Sequence, residues 1–474
     1  MQQIKSLSKS TIWYSLGNFF VRSISFLLLP LYSNLISTKE FGDYSLLMSI
    51  YAIASVLYQF GLPAAFSKYY LEADTVEKRT KIFSTVINST LLFGIIVSSI
   101  IIIFSGKISI IILKSSDSFS LVSLTFISLL VDTVAYFSLH LLKTQEKSRN
   151  VVLLSSVAAI SNLILNVIFV FLLKQGIEGI FYAQILSSTI LIILMIPSIK
   201  MEYSVSIELK ILKIMIRFSI PLIISGLFSS AIDVSDRFLI NNYLGKNVVG
   251  IYSFSYRIAM IMNVFVISYR TAWVPYALNV YSTGKYQEIF GKTLLKLIFA
   301  GGFIILLVTF FTGYLFDLRI LGITFLNHQY LPGLLILPFI LLGYFFNGLA
   351  SFYSIYPLVS NKTYHFPIAD GIGFALNLIL NLILIPHYGI IGAAIATTIA
   401  FASSAFYLYL ISVGQLKFNY NIKQLLALVS MLTLFLLGGI LFNNIYFNII
   451  LSSLFFIIAV KLTGTRLNSI FIFR

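Results

Sequence analysis

Four arginines lie inside stretches of the chain that otherwise consist of apolar residues: Arg22, Arg237, Arg257 and Arg270. An ionisable side chain at bilayer depth costs about 3 kcal/mol or more, so such residues usually face a protein-lined cavity. The planar guanidinium group binds phosphate and carboxylate through paired hydrogen bonds. Together these residues predict a membrane protein that transports an anionic substrate through a cationic interior.

Two of the four arginines have a second explanation in the sequence. Asp233 lies four residues before Arg237, the acid-first spacing that favours an ion pair on one helix, and Asp236 is the direct neighbour of Arg237. Such a pair neutralises itself, although it stays compatible with a role in gating. Arg270 lies within reach of the cytoplasmic interface, so we interpret it first as an interfacial anchor.

The remaining arginines, Arg22 and Arg257, fall near the middle of their apolar segments. Neither has an acidic residue within four positions in the sequence. Arg22 also continues a polar face of helical spacing that includes Asn18. We therefore predict that Arg22 and Arg257, with Arg237 as a further candidate, contact the substrate.

A second polar face repeats at intervals of four residues: Ser128, Asp132, Tyr136 and His140. Asp132 falls near the midplane, where a carboxyl group serves as a counter-ion, a proton carrier or a structural hydrogen-bond partner, and these three roles stay open. Asp233 and Asp236 join it as candidates for ion coupling or charge compensation. We interpret His140 as an interfacial histidine and Asp370 as an acid near the solvated inner end of its helix.

Membrane-spanning helices must position these residues. Of 474 residues, 59% are hydrophobic and 10% are charged, and the mean hydropathy is +0.97, which excludes a soluble domain. A span needs about 20 apolar residues. We predict an all-α polytopic membrane protein with about fourteen spans, near 11–36, 43–66, 82–104, 119–142, 150–173, 178–198, 217–241, 248–273, 293–315, 332–357, 364–385, 390–411, 424–442 and 446–463.

The net charge is +16, and the distribution of its Lys and Arg residues matches the predicted membrane topology rather than a nucleic-acid-binding surface. Six of the 32 Lys and Arg residues fall in outward loops, namely Lys39, Lys107, Lys114, Lys174, Lys246 and Arg319. Apart from the four embedded arginines, the others fall in inward loops and flanks, as the positive-inside rule requires. Both termini are therefore predicted to be cytoplasmic, and nucleic-acid binding is not needed to explain the charge.

Several classes of chemistry find no support in the sequence. There is no cysteine, and the four histidines have no metal-ligand spacing, so we expect no metal site and no thiol chemistry. Gly284-Lys285 lacks the upstream glycine of a phosphate-binding loop, so we expect no nucleotide partner. The remaining expectation is a coupling ion, H⁺ or Na⁺, and no other cofactor.

The chain repeats itself at an offset of about 210 residues. Phe41-Gly42-Asp43-Tyr44 corresponds to Val249-Gly250-Ile251-Tyr252, and Asn162-Leu-Ile-Leu-Asn166 corresponds to Asn377-Leu-Ile-Leu-Asn381. Two parallel six-helix bundles with a substrate site between them are a common transporter plan. We predict four segments: a first lobe at 1–198, a cytoplasmic linker at 199–216, a second lobe at 217–411, and a final pair of spans at 412–474.

Several ordered motifs resemble the multidrug/oligosaccharidyl-lipid/polysaccharide exporter superfamily, in its Wzx-type O-antigen flippase branch. The motifs, which lie within about residues 8–412, are Phe41-Gly42-Asp43-Tyr44, Ile220-Pro221-Leu222, Asp236-Arg237, Trp273-Val274-Pro275 and Gly389-Ile-Ile-Gly392. The resemblance implies alternating-access translocation of an undecaprenyl-pyrophosphate-linked oligosaccharide across the bacterial inner membrane. It also implies a pyrophosphate contact for Arg22 and Arg257, and membrane lipids and the polymerase and chain-length proteins of the same pathway as partners.

Two other functions remain open at this point. A drug or cation antiporter of the same superfamily would need a cavity lined with carboxylates to bind a cationic substrate. Here, however, central arginines outnumber central acids. A polytopic oligosaccharide polymerase or ligase would need a sizeable outer loop. The longest outer loop, near 315–331, has few candidate catalytic groups, so we predict a transporter and not an enzyme.

The predicted phosphate contact can be tested at Arg22. We expect Arg22→Ala to abolish surface polysaccharide at a normal protein level, and Arg22→Lys to retain part of it, because lysine keeps the charge but loses the paired hydrogen bonds. Immunoblots of surface polymer and of the membrane protein give the two quantities. A normal polymer level in the alanine variant would remove Arg22 from the site.

Overall fold

A computed structural model of the chain describes Ile24 and residues 26–284, 286–320, 322–416, 419, 421–442 and 444–464. Two compact units divide the chain between Ser253 and Phe254. The sequence repeat places the boundary between the lobes elsewhere, at the linker 199–216, and those lobe limits stay a prediction.

The first unit consists of helices that follow one another closely along the chain. They are α1 (Phe26–Leu35), α2 (Thr38–Tyr58), α3 (Leu62–Glu72), α4 (Val76–Ile103), α5 (Ser105–Leu113), α6 (Phe119–Thr144), α7 (Ser148–Asn166, continued by a π-helical turn at Val167–Leu172), α8 (Gly176–Lys200) and α9 (Leu209–Tyr243). Local chemistry sets some of these ends. The Ser37 hydroxyl accepts from the Glu40 amide while the Glu40 carboxylate accepts from the Ser37 amide, a capping box that starts α2.

Helix α10 (Lys246–Ser282) runs from the first unit into the second. The second unit continues with α11 (Tyr286–Phe311), α12 (Tyr314–Asp317), a short hairpin of β1 (Arg319–Ile320) and β2 (Ile323–Thr324), a 3₁₀ helix (His328–Ile336), α13 (Leu337–Tyr353), α14 (Ile355–Val359), α15 (His365–Val413), α16 (Ile422–Phe442) and α17 (Ile445–Thr463). Helices α16 and α17 pack on α11, where a methyl group at Gly302 would lie 3.1 Å from Phe455 and 3.2 Å from Leu432.

The predicted fold class is confirmed. Twelve stretches of the described residues are long and apolar enough to cross a membrane. One of them, α15, has 49 residues, and Gly389 breaks its helical geometry with φ 58° and ψ −136°. A span needs about 20 residues, so α15 supplies two spans, 365–388 and 390–413. Helix α1 is a shorter apolar helix among the described residues and falls within the first predicted span.

The structure divides the second predicted span, which the sequence presents as continuous. Phe60 and Gly61 adopt left-handed backbone angles, with φ of 48° and 60°, and separate α2 from α3. A methyl group at Gly61 would lie 2.8 Å from Ile223 of α9, so only glycine allows this close approach. The break therefore lets α9 pack against both halves of the span.

Helices α2 and α10 cross at two glycines that correspond to each other in the sequence repeat. A methyl group at Gly42 would lie 2.2 Å from the Lys246 carbonyl oxygen, and one at Gly250 would lie 1.9 Å from the Thr38 carbonyl oxygen. Beside this crossing, Lys246 Nζ lies 2.7 Å from Asp43 Oδ1, with both side chains largely buried. Small residues at helix crossings are how membrane helices gain close packing.

Gly250→Ala should separate α2 from α10 and destabilise the protein by about 1–3 kcal/mol, because a backbone carbonyl cannot move aside as a side chain can. Thermal unfolding of the purified protein in detergent measures the effect. Gly106→Ala is the matched control, since Gly106 is helical and has no atom within 4 Å of an added methyl group. Equal unfolding temperatures for the two variants would contradict the close crossing.

Candidate functional site

The structure distributes the predicted site residues over several places. Arg22 and Asn18 lie outside the described residues. Asp233, Asp236 and Arg237 lie on α9 in the first unit, and Asp132 and His140 lie on α6. Arg257 and Arg270 lie on α10, and Asp370 lies on α15, all in the second unit.

Asp236 and Arg237 form an ion pair inside the first unit. Arg237 Nη1 lies 3.4 Å from Asp236 Oδ1, and the side chains are 11% and 0% exposed. Arg237 Nη1 also donates to the main-chain oxygen of Asp233, and the Tyr252 hydroxyl donates to Asp236 Oδ2. The Asp236 carboxylate is therefore held between a guanidinium group and a phenol, and its charge is compensated locally.

Asp132 is the centre of a second polar cluster in the same unit. Its Oδ2 atom accepts from the Tyr51 hydroxyl of α2 at 2.5 Å and from Gln184 Nε2 of α8 at 2.9 Å. Its Oδ1 atom accepts from the Ser188 hydroxyl, one turn along α8. Two helices, α2 and α8, thus direct three uncharged donors at one carboxyl group of α6.

Further hydrogen bonds extend this cluster to two more helices. Asn162 Nδ2 of α7 donates to Gln184 Oε1 at 3.3 Å and to the Ser187 hydroxyl at 3.2 Å. Asn166 Nδ2 donates to Asn162 Oδ1 at 3.1 Å, and the Tyr32 hydroxyl of α1 donates to Asn166 Oδ1 at 2.7 Å. We call these residues, together with Asp132, Tyr51 and Ser188, the Asp132 network.

The Asp132 network offers chemistry that an ion pair does not. Within the part of the chain that the structure describes, no lysine or arginine pairs with the Asp132 carboxylate. A carboxyl group surrounded by hydroxyl and amide groups can take up a proton or a small cation, because those groups can reorient to present either hydrogens or oxygens. Intramembrane acids of this kind are typical of ion pathways.

The sequence pointed to Asp132 but not to its partners. Gln184 and Ser188 are four residues apart on α8, and this helical spacing of polar residues in an apolar span was a readable signal. Tyr51 gave no such signal, because tyrosine is common in apolar helices.

His140 lies two turns further along α6 than Asp132. Its Nε2 atom donates to the Pro63 carbonyl oxygen at 3.0 Å and lies 3.0 Å from the Ser67 hydroxyl, while its ring stacks on Tyr136. Pro63 belongs to the first turn of α3, directly after the break in the second span. The contacts of His140 therefore tie α6 to the start of α3.

The second unit separates its two arginines along α10. Arg257 is partly buried, whereas the side chain of Arg270 is accessible and is attracted electrostatically by Asp370. The asparagine pair of this unit is fully buried: Asn381 Nδ2 donates to Asn377 Oδ1 at 2.9 Å, and Asn377 Nδ2 donates to the Thr397 hydroxyl at 3.3 Å. The last bond joins the two halves of α15.

Comparison with known proteins identifies relatives that match most of the chain. Residues 7–281 match the family model described as polysaccharide biosynthesis protein. A protein of Shigella flexneri named "Putative O-antigen transporter" is 24% identical over 406 residues, which cover 83% of this chain and 94% of that protein.

Solved structures share the fold. The lipid II flippase MurJ, in an inward closed conformation, matches with a TM-score of 0.74 and 22% identity, over 95% of this chain and 99% of that one. The Vibrio cholerae MATE transporter VcmN matches with a TM-score of 0.64 and 16% identity, over 86% and 96% of the two chains. With more than half of its residues matching the family model, the chain belongs to the polysaccharide biosynthesis protein family.

Proposed function

We propose that this protein is a flippase that moves an undecaprenyl-pyrophosphate-linked oligosaccharide from the inner to the outer leaflet of the bacterial inner membrane. The observation that carries the proposal is a partly buried guanidinium group, that of Arg257, within the apolar helix α10 of a chain of the polysaccharide biosynthesis family. The name of the Shigella flexneri relative and the fold shared with a lipid II flippase support the same reading.

The physical requirement for this transport is a path for a charged head group. A pyrophosphate group is charged and cannot cross the hydrocarbon core unaided. A polyprenyl chain is apolar and dissolves in it. Arginine binds phosphate oxygens through paired, charge-assisted hydrogen bonds that lysine cannot reproduce. In the proposed mechanism Arg22 and Arg257 bind the head group while the polyprenyl chain remains in the bilayer. Arg237, already paired with Asp236, contributes when that pair opens.

We further propose that the Asp132 network is the site where an ion, H⁺ or Na⁺, couples to transport. The support is geometric: a carboxyl group at bilayer depth accepts from three uncharged side chains on two neighbouring helices, α2 and α8. A bound cation would remove the need for some of these donors, so ion binding would change how the helices are held together. In the proposed mechanism, that change in helix contacts helps the protein to switch between its inward-open and outward-open states.

Translocation by the purified protein tests the function directly. In proteoliposomes loaded with a fluorescent undecaprenyl-pyrophosphate oligosaccharide, we expect glycan to become inaccessible to an externally added glycosidase. Arg257→Ala should slow this transfer about tenfold or more, because each hydrogen bond to a charged group contributes about 1.5–3 kcal/mol. Arg319→Ala is the control, because Arg319 lies exposed in the hairpin outside the spans. Unchanged glycan accessibility together with export of a cationic dye would favour the antiporter.

Asp132→Asn tests the coupling site. We expect translocation by this variant to lose its dependence on an imposed proton or sodium gradient, because the amide keeps the shape of the side chain but cannot bind a proton or a cation through a charge. The rate is measured with and without each gradient in the same proteoliposomes. Asp117→Asn, in the exposed loop before α6, is the control. If a gradient accelerates Asp132→Asn as much as the wild-type protein, the network has a structural role only.

A further inference from the structure

A cleft of about 520 Å³ lies between α13 and the second half of α15, entirely within the second unit. Its lining residues are Phe346, Leu349, Tyr353, Ile399, Ala402, Ser403, Ala405, Phe406 and Tyr409. This volume is in the range of small-molecule binding sites, roughly 300–1,000 Å³. We call it the α13–α15 cleft.

The cleft is apolar, walled by aromatic rings and open at its side. Phe406 is 59% exposed and Ile399 is 40% exposed, so the cleft is accessible from the surface of two membrane-spanning helices. The Tyr353 and Tyr409 rings meet edge to face with centroids 5.2 Å apart, and Phe406 stacks near Tyr409. Because the surrounding medium at this depth is hydrocarbon, the ligand that fits is a hydrocarbon chain.

Polar and cationic groups lie beyond one end of the cleft. Lys362 Nζ lies 5.9 Å from the centre of the ring of Tyr356, which belongs to α14 and follows Tyr353 by three residues. His365 Nδ1 lies 2.8 Å from the hydroxyl of Tyr407, which is the chain neighbour of Phe406. An apolar cleft followed by a cationic end complements a long chain that carries an anionic head group.

We propose that the α13–α15 cleft binds the polyprenyl chain of the substrate before translocation, with the phosphate end directed toward Lys362 until the head group moves to Arg22 and Arg257. This assignment rests on the proposed flippase function and adds a binding site for the lipid part of its substrate. A polyprenyl chain is unsaturated and methyl-branched, so it presents flat, wide faces to the rings of Phe346, Tyr353 and Phe406. A saturated acyl chain is thinner and would contact these walls less completely, and dispersion contacts are lost wherever a gap remains.

Photolabelling of the full chain in phospholipid nanodiscs tests the site. The probe is a glycan-free polyprenyl phosphate with a diazirine in its chain, and peptide mass spectrometry locates the label. In the wild-type protein we expect labelling of the cleft residues on α13 and α15, and loss of that labelling when unlabelled undecaprenyl phosphate is added. This measurement requires no variant, so it does not depend on the folding of one.

Ser403→Phe fills the cleft and should reduce cleft labelling about tenfold or more, a difference of about 1.4 kcal/mol in binding. Ser430→Phe on α16 is the matched control, because both serine hydroxyls donate to the carbonyl oxygen three residues earlier and Ser430 lines no part of the cleft. Its labelling should stay within about twofold of the wild type.

Either of two results would overturn the proposal: no cleft labelling in the wild type, or displacement of the probe from the cleft by diacyl phospholipid as effectively as by undecaprenyl phosphate. The second result would identify a site for ordinary membrane lipid. Because labelling requires no translocation, absent labelling with intact glycan transfer rejects the cleft and leaves the flippase function standing. Labelling without glycan transfer rejects the flippase function and leaves the polyprenyl site standing.

Discussion

The absence of water at bilayer depth is the constraint on which the first unit depends, and Asp132 shows its effect most clearly. A carboxyl group there must find every hydrogen-bond donor within the protein. Tyr51, Gln184 and Ser188 supply them, and Asn162 and Asn166 carry the chain of bonds onward to α1. Each interhelical bond contributes only about 0.6–2 kcal/mol in a membrane. Because these bonds form one connected network, however, they link five helices to one another: α1, α2, α6, α7 and α8.

Close backbone packing provides the second means of holding the helices together. At the crossing of α2 and α10, Gly42 and Gly250 each face a main-chain carbonyl of the other helix. The contact is reciprocal, because each of the two repeat-related segments supplies one glycine and one facing carbonyl group. The Lys246–Asp43 ion pair lies beside them. A backbone contact of this kind cannot loosen through side-chain rotation. If the crossing opens during transport, both glycine contacts must break together.

The sequence predicted those features of the fold whose signals are local. Span positions follow from runs of apolar residues, and Gly389 divides α15 where the hydropathy pattern placed a boundary between spans 11 and 12. The partners of Asp132 could not be predicted in the same way, because Gln184 is 52 residues away and Tyr51 is 81 residues away along the chain. The break after α2 also escaped prediction, since it requires Phe60 to adopt a left-handed backbone that its side chain disfavours.

The two aspartates that the structure describes in most detail within apolar helices, Asp236 and Asp132, differ in the charge of their partners. Asp236 lies 3.4 Å from a guanidinium nitrogen, so binding a cation there would first have to displace Arg237. The described partners of Asp132 are a phenol, an amide and a hydroxyl, none of which carries a charge to be displaced. A cation that binds at Asp132 would therefore displace no cationic side chain among the residues that the structure describes. Within the proposed mechanism, that asymmetry assigns ion coupling to α6 and leaves α9 and α10 to the anionic head group.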